Sequence, residues 1–364
     1  MRLFLAAVIA AGSLAAQSLN FTPMSLSAGS NPKSIHLAKL NGDPYPDVLV
    51  VNAGGINQNN ITVLMGGPGL TYSQPILSAT GGLGSIAMTT GDFNHDGKPD
   101  VAVVSNLSND VSIMLGNGDG TFQRGVLYNA DVGPIAIGRA DFNGDGNLDL
   151  AVVNSFSGNV SILLGNGDGT FGKPKNVSVG SSPTDVKIWD FNGDGIPDLA
   201  VTNGTQGERV VEILLGNGDG TFRKGGSAKA GNEPFALAVG SFNGDRIADL
   251  AVANLASNNI SILIGNGDGT FQPATNYSAG AAPVAVKVGY FSGDTTADVA
   301  VCASDSAQVL VFPGNGNGTF QTPVAFSSGT VCNSLDVGDL NGDGNEDIVL
   351  TNTNGVVLLI NNGQ

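Results

Sequence analysis

Short apolar runs of Val, Ile and Leu recur along the whole chain, separated by clusters of Gly, Asn and Asp. Ile135-Ala136-Ile137, Leu150-Ala151-Val152-Val153 and Val160-Ser161-Ile162-Leu163-Leu164 follow one another, and a fourth run leads from Phe171 to Val179. Runs of this length between turn-forming residues, with no sustained helical period, predict strands and no useful helix. This set of four recurs along the chain. One Asp-rich motif ends on an acid at 47, 100, 149, 198, 249, 298 and 347, spaced 53, 49, 49, 51, 49 and 49 residues apart. Four strands in each of seven such units predict an all-β, seven-bladed β-propeller of four-stranded antiparallel blades. Small residues on the first run of each unit (Ala136, Gly138, Ala236, Ala238, Ala285) suit the narrow inner end of a blade.

The expected blades span about 32–78, 85–130, 134–179, 183–230, 234–279, 283–327 and 332–362. The last has room for only three strands. Asn20-Phe21 aligns with Thr121-Phe122, so residues 20–29 are expected to complete blade 7 and close the ring. That closure removes an open sheet edge.

Composition narrows the partners. Lys and Arg total 15 against 31 Asp and Glu, a formal charge of −16, which argues against nucleic acid and anionic membrane surfaces as partners and favours cations. Charged residues make up only 13% of the chain, while Gly numbers 54. Met1-Arg2, an apolar run from Leu3 to Ala11 and small residues up to Ala16 have the order of a secretory leader cleaved after Ala16. No later run is long and apolar enough for a membrane helix. The expectation is an exported, monomeric protein with one domain over 17–364, extracellular or periplasmic.

The Asp motifs carry the candidate chemistry. Asp92, Asn94, Asp96 and Asp100 hold positions 1, 3, 5 and 9 of a tight loop, with Gly97 at position 6. Oxygen donors on alternate residues can converge on Ca²⁺, which takes six to eight of them, with the position-7 carbonyl of Lys98 as a further ligand. The set is complete in three more loops. These are Asp141, Asn143, Asp145, Asn147 and Asp149 in blade 3, and Asp190, Asn192, Asp194, Ile196 and Asp198 in blade 4. Blade 7 has Asp339, Asn341, Asp343, Asn345 and Asp347. In each, the position-7 residue (Asn147, Ile196, Asn345) would give its carbonyl. Four calcium sites are expected, in blades 2, 3, 4 and 7. Isolated Asx turns would account for one such loop, not for four in register. In blades 1, 5 and 6 the first acid is replaced by Lys39, Ser241 and Tyr290, and Arg246 stands for the loop glycine of blade 5. The ninth position survives there as Asp47, Asp249 and Asp298, which points to a turn-holding role apart from metal.

With Asp-x-Asn-x-Asp-Gly-x-x-Asp loops in a sevenfold strand pattern from Phe21 to Gly363, the chain resembles the FG-GAP/VCBS repeat family, which includes the integrin α-subunit propeller. The resemblance implies calcium loops between the first and second strands of a blade, on the face opposite the usual ligand face, and a structural role for the ion. Val153-Asn154 and Val252-Ala253-Asn254 stand where the integrin pattern has Gly-Ala-Pro, so the chain looks like the bacterial VCBS-type branch and integrin ligands are not implied.

Other features leave alternatives open. Gly116-Asn117-Gly118-Asp119-Gly120-Thr121-Phe122 and its copies read as a hairpin between third and fourth strands, with Phe between blades, rather than a second calcium site. Trp189, the only Trp, stands where other units have small residues; it either stacks on a sugar or fills a gap. His36, Thr89, Gly138, Lys187, Ala238, Lys287 and Asp336 share one register, a polar tunnel if they line the axis and ordinary solvated side chains if not. Neither His36 nor His95 has a Ser or Cys nearby in sequence in a nucleophile context. Cys302 and Cys332 fall at the same end of adjacent blades, as a disulfide or as two buried thiols. The leading expectation is a secreted, calcium-stabilised, non-catalytic binding or adhesion module for a glycan or a protein surface, through polar loops such as 106–110 and 154–159 opposite the calcium. The alternative is an extracellular lyase or hydrolase acting on polysaccharides.

Overall fold

The computed structural model describes residues 19–54, 59–204 and 209–363. The proposed leader, residues 1–16, lies outside them, as do parts of the expected ligand-face loops at 55–58 and 205–208.

Blade 3 shows the unit. Pro134–Ala140 is the innermost strand, followed outwards by Asp149–Asn154, Asn159–Leu163 and Lys175–Ser178, each antiparallel to the last. Six such sheets follow one another, and the seventh joins Cys332–Gly338, Asp347–Asn352 and Gly355–Asn361 to Phe21–Leu26. Phe21 pairs with Asn361 and Leu26 with Val356, so the N-terminal strand is the outer strand of blade 7. In blade 1 the segment at the place of the glycine-rich block, Gly66 to Tyr72, forms a small extra ribbon, Gly66–Gly67 against Thr71–Tyr72.

The apolar core is divided among the blade interfaces. Along Asp100–Ser105, Val101 and Val103 pack towards blade 1, with Leu49 and Val63. Ala102 and Val104 point the other way, towards Leu150 and Val152 of blade 3. Both faces of each second strand are therefore buried, which is why these strands read as continuous apolar runs rather than alternating ones.

One aromatic contact recurs from blade to blade. The residue after the first loop position packs edge-to-face on the hairpin Phe of the next blade: Phe93 on Phe171 at 5.5 Å, Phe142 on Phe222 at 5.4 Å, Phe191 on Phe271 at 6.0 Å and Phe242 on Phe320 at 5.3 Å between centroids. At the closing junction Phe291 meets Phe21 at 6.1 Å, so Phe21 fills the hairpin position for blade 7. A backbone bond accompanies the rings, as from Gly169 N to the Phe93 carbonyl at 2.9 Å. The glycine-rich block is thus a hairpin turn whose Phe locks two blades together.

Candidate functional site

Each Asp loop joins the first and second strands of its blade and is built by side chains accepting from its own backbone. In blade 3, Asp141 accepts from the N–H groups of Gly144, Asp145 and Gly146 at 2.7, 3.2 and 2.8 Å. Asn143 Oδ1 accepts from Asp145 N, and Asp145 Oδ1 from Asn147 N. Gly146 turns the chain at φ 86°, a left-handed conformation that costs glycine little.

The other three complete loops repeat this bonding closely. In blade 2, Asp92 accepts from Asp96 N and Gly97 N, Asn94 Oδ1 from Asp96 N, and Asp96 Oδ1 from Lys98 N. In blade 4, Asp190 accepts from Gly193 N, Asp194 N and Gly195 N. Asn192 Oδ1 accepts there from Asp194 N, and Asp194 Oδ1 from Ile196 N, both at 2.9 Å. In blade 7, Asp339 accepts from Gly342 N, Asp343 N and Gly344 N. Asn341 Oδ1 accepts from Asp343 N at 2.9 Å, and Asp343 Oδ1 from Asn345 N at 2.8 Å. In blade 5 the hydroxyl of Ser241 accepts from Arg246 N at 3.2 Å, so the turn survives without the first acid. Arg246 there holds φ 66°, where the complete loops have glycine.

The ninth position is a buried clamp in all seven blades. Asp149 accepts from Phe142 N and Gly165 N at 2.8 and 2.7 Å, tying the loop to the end of the third strand. Asp47, Asp100, Asp198, Asp249, Asp298 and Asp347 do the same in their blades. All seven are fully shielded from solvent. Burial pushes each carboxyl's pKa upwards against the pull of these N–H groups; Asp347 reaches about 6, with Asp343 and Asp339 adding to the rise.

The expected calcium ligands are neighbours in each loop but are not gathered into a cage. Among the described residues no three His, Cys, Asp or Glu side chains converge as a metal-holding group. In blades 3, 4 and 7 the reason is visible in the bonding. The amides of Asn143, Asn192 and Asn341 donate Nδ2 to the second oxygen of Asp145, Asp194 and Asp343 at 2.9, 2.8 and 2.9 Å. In blade 7 the side chain of Asn345 adds a further bond to Asp343 at 3.0 Å. Asn and acid at positions 3 and 5 thus satisfy each other in Asx turns. Three carboxylates in one loop also repel one another, and a bound cation would offset the cost of drawing them together.

The donor chemistry still fits a hard cation. Two N–H bonds occupy two of the roughly four lone-pair sites of the clamp carboxylate. The acids at positions 1 and 5 are at least partly open to solvent in the four complete loops, as are the side chains of Asn94, Asn143, Asn192 and Asn341. The position-7 residues Lys98, Asn147, Ile196 and Asn345 give their N–H to the position-5 acid, a bond that leaves their carbonyl lone pairs uncommitted.

The inner strands surround a cavity of about 550 Å³ lined by residues of all seven blades. His36, Thr89, Gly138, Lys187 and Lys287 of the polar register lie here, and the charged ones are held in ion pairs. Asp336 accepts from Lys287 Nζ at 2.8 Å, from Leu37 N at 2.9 Å and from His36 Nδ1 at 3.1 Å, which ties blades 6, 7 and 1 together. Lys187 Nζ bonds both oxygens of Asp185, and Asp185 also accepts from Leu237 N of the next blade. Burial works to raise the Asp336 pKa, but Lys287 and His36 more than offset it and hold the carboxyl well below the usual range. Burial likewise opposes the charge on Lys287, and Asp336 reverses the balance, so that ammonium is held above its ordinary range.

Sequence reasoning missed one link. His36 Nε2 lies 3.1 Å from Thr90 Oγ1, which completes a hydroxyl–imidazole–carboxylate chain across the ring closure. Thr90 is only 6% exposed, so the chain fixes the ring position of His36 rather than presenting a nucleophile. The register shared by His36 and Asp336 was visible; their meeting depends on closure.

Cys302 and Cys332 form a disulfide between blades 6 and 7, with Cα atoms 5.9 Å apart. Trp189 is 55% exposed, so it fills no gap. It ends its inner strand on the Asp-loop side, away from the face expected to bind ligand. On that opposite face the loops are less uniformly polar than expected. Leu107 is 75% and Phe156 82% exposed, at equivalent positions of blades 2 and 3.

A family model described as FG-GAP-like repeat matches residues 39–103, 92–152, 141–201, 190–252, 241–301 and 291–350. No curated protein matches the chain. Among solved structures it is similar to BBS1N in complex with ARL6DN, at 13% identity and TM-score 0.66, over 94% of this chain and 96% of that one. It is also similar to virginiamycin B lyase from Staphylococcus aureus, at 13% identity and TM-score 0.62, over 94% and 99%. A catalytically inactive form of that lyase with quinupristin gives 13% and 0.60 over 94% and 99%. At these identities the likeness concerns the fold.

Proposed function

The chain belongs to the FG-GAP-like repeat family, and from that premise we propose that it is an exported, calcium-stabilised binding module without catalytic activity. The Asp loops of blades 2, 3, 4 and 7 would hold Ca²⁺ through positions 1, 3, 5 and 9 and the position-7 carbonyl. The ion would supply charge neutralisation and rigidity on that face. Ligand, a glycan or a protein surface, would meet the opposite face. The carrying observation is the division of labour among the acids. The ninth acid is a structural clamp in every blade, including the three that lack a first acid. Acids at both positions 1 and 5, each with access to solvent, occur together only in the four complete loops.

Chelation is the test. At calcium about tenfold above the dissociation constant, each site adds about 1.4 kcal/mol. Removing calcium should therefore lower the melting temperature markedly, and Asp145→Ala should remove about a quarter of the effect. A melting curve indifferent to calcium from micromolar to 10 mM sinks the metal reading. A glycan array run with the calcium-loaded protein tests the binding face. The enzymatic alternative draws on the lyase among the structural neighbours, and turnover of polysaccharides by the purified chain would establish it.

A further inference from the structure

We propose that the axial cavity binds a carboxylate-bearing sugar, a uronate-type residue of an acidic glycan. This rests on the binding-module reading and moves the ligand from the outer loops of the opposite face into the axis of the ring.

Charge placement carries the proposal. The chain's formal charge is −16, yet four of its 15 Lys and Arg residues line the cavity: Lys33, Arg139, Lys187 and Lys287. Asp185 is the one carboxylate among the described lining residues, Asp336 lies behind them, and both are already engaged by Lys187, Lys287 and His36. Among the described residues Lys33 and Arg139 have no carboxylate within ion-pairing distance. Among the described residues the Arg139 guanidinium donates one hydrogen bond, to Thr89 Oγ1 at 3.3 Å. The two lie near opposite ends of the inner strands, one residue into its strand and one before its end. Two positive charges without a carboxylate partner thus stand near the two ends of the cavity in an otherwise acidic molecule. The outer surface repels anions, and the low-dielectric walls of the cavity strengthen attraction within it. Arginine's planar fork matches a carboxylate bidentately.

The lining suits a sugar rather than a simple anion. Phe235 is 37% exposed at the mouth away from the Asp loops. It offers an aromatic surface to a cavity that Ile86, Ile135, Ser34 and Ser334 also line. An apolar surface with a few polar groups and a charged anchor is the composition of a small-ligand site, and the volume lies within the usual range of several hundred Å³.

The experiment is isothermal titration of the full mature chain with trigalacturonate and with neutral galactotriose. Lys33→Gln and Arg139→Gln are compared with Lys229→Gln on an outer strand, and thermal melts confirm that every variant folds. The expected result is at least tenfold preference for the acidic trimer, weakened about tenfold by either cavity substitution and unchanged in Lys229→Gln. Acidic binding that survives both cavity substitutions overturns the proposal and leaves the binding-module reading standing. So does binding confined to neutral sugars or to a protein surface. No binding to any glycan or protein overturns both.

Discussion

The clamp at the ninth loop position can be tested without metal by changing Asp249 to Asn in blade 5. That loop begins with Ser241 and carries Arg246 at its sixth position, so it is the poorest candidate for calcium. Asp249 accepts from Phe242 N at 2.7 Å and from Gly265 N at 2.8 Å, with no solvent access. Asparagine keeps one acceptor and turns its NH₂ group on the second N–H. One charge-assisted bond is lost, worth about 1.5–3 kcal/mol, and a buried donor is left unpaired. Burial raises the pKa of Asp249, so keeping that charge buried itself carries a cost, which the substitution relieves. The net expectation is a loss of about 2 kcal/mol. At about 2.1 cal/mol/K of unfolding entropy per residue, a ring of this size shifts by about 1.4 °C per kcal/mol, so the melting temperature should fall by about 3 °C. The loss should be the same with calcium and with chelator. Amide exchange at Phe242 and Gly265 should accelerate selectively. A midpoint within about 0.5 kcal/mol of the parent, with unchanged protection at those two amides, would refute the clamp. Asp149→Asn in blade 3 should add a calcium-dependent component on top of the same loss.

Replacing both Cys302 and Cys332 by Ser releases a link across a sequence separation of 30; denaturant midpoints should report a loss of about 2–4 kcal/mol, and reductant should destabilise only the parent. Arg246→Gly relieves the left-handed backbone at φ 66° and should stabilise by about 0.5–1 kcal/mol, read in a thermal melt; destabilisation would show that the arginine side chain matters more than its backbone. Because the folded-state pKa of Asp336 is depressed, its contribution is complete above the unfolded value near 3.8 and is lost as pH falls through the lower folded value. Asp336→Asn should therefore cost most at neutral pH and progressively less below about pH 4, and an equal cost at both ends would contradict the ion-pair account.

The ring was legible because its periodicity is covalent: a repeat of about 50 residues with fixed turns needs no knowledge of distance. The closing strand was legible for the same reason, since Phe21 carries the hairpin residue of a repeat that is otherwise cut short. The ninth acid was half legible. Asp47, Asp249 and Asp298 survive where metal ligation is compromised, which hinted at the clamp, but the N–H groups that they hold lie at the ends of third strands. The alternation of donors in loops such as Asp190 to Asp198 was legible too. The amide bonds by which Asn192 and Asn341 engage Asp194 and Asp343 were not, because spacing does not say which way an amide turns. The axial network was not legible. His36 and Asp336 are 300 positions apart, and only closure of the circle sets them at 3.1 Å. Leu107 and Phe156 sit among Ser and Asn in short turns, and sequence alone does not separate a buried apolar residue there from an exposed one.

The closing strand also imposes an order on biogenesis. Phe21 leaves the ribosome long before its partner Asn361. At roughly 5–20 residues per second the interval is about 20–70 s. Throughout it the seventh sheet does not exist, and Phe21–Leu26 is an unpaired, partly apolar segment that another chain's incomplete blade could capture. Such an exchange would give linked rings or open oligomers, so the yield of monomer should depend on how far apart nascent chains are kept.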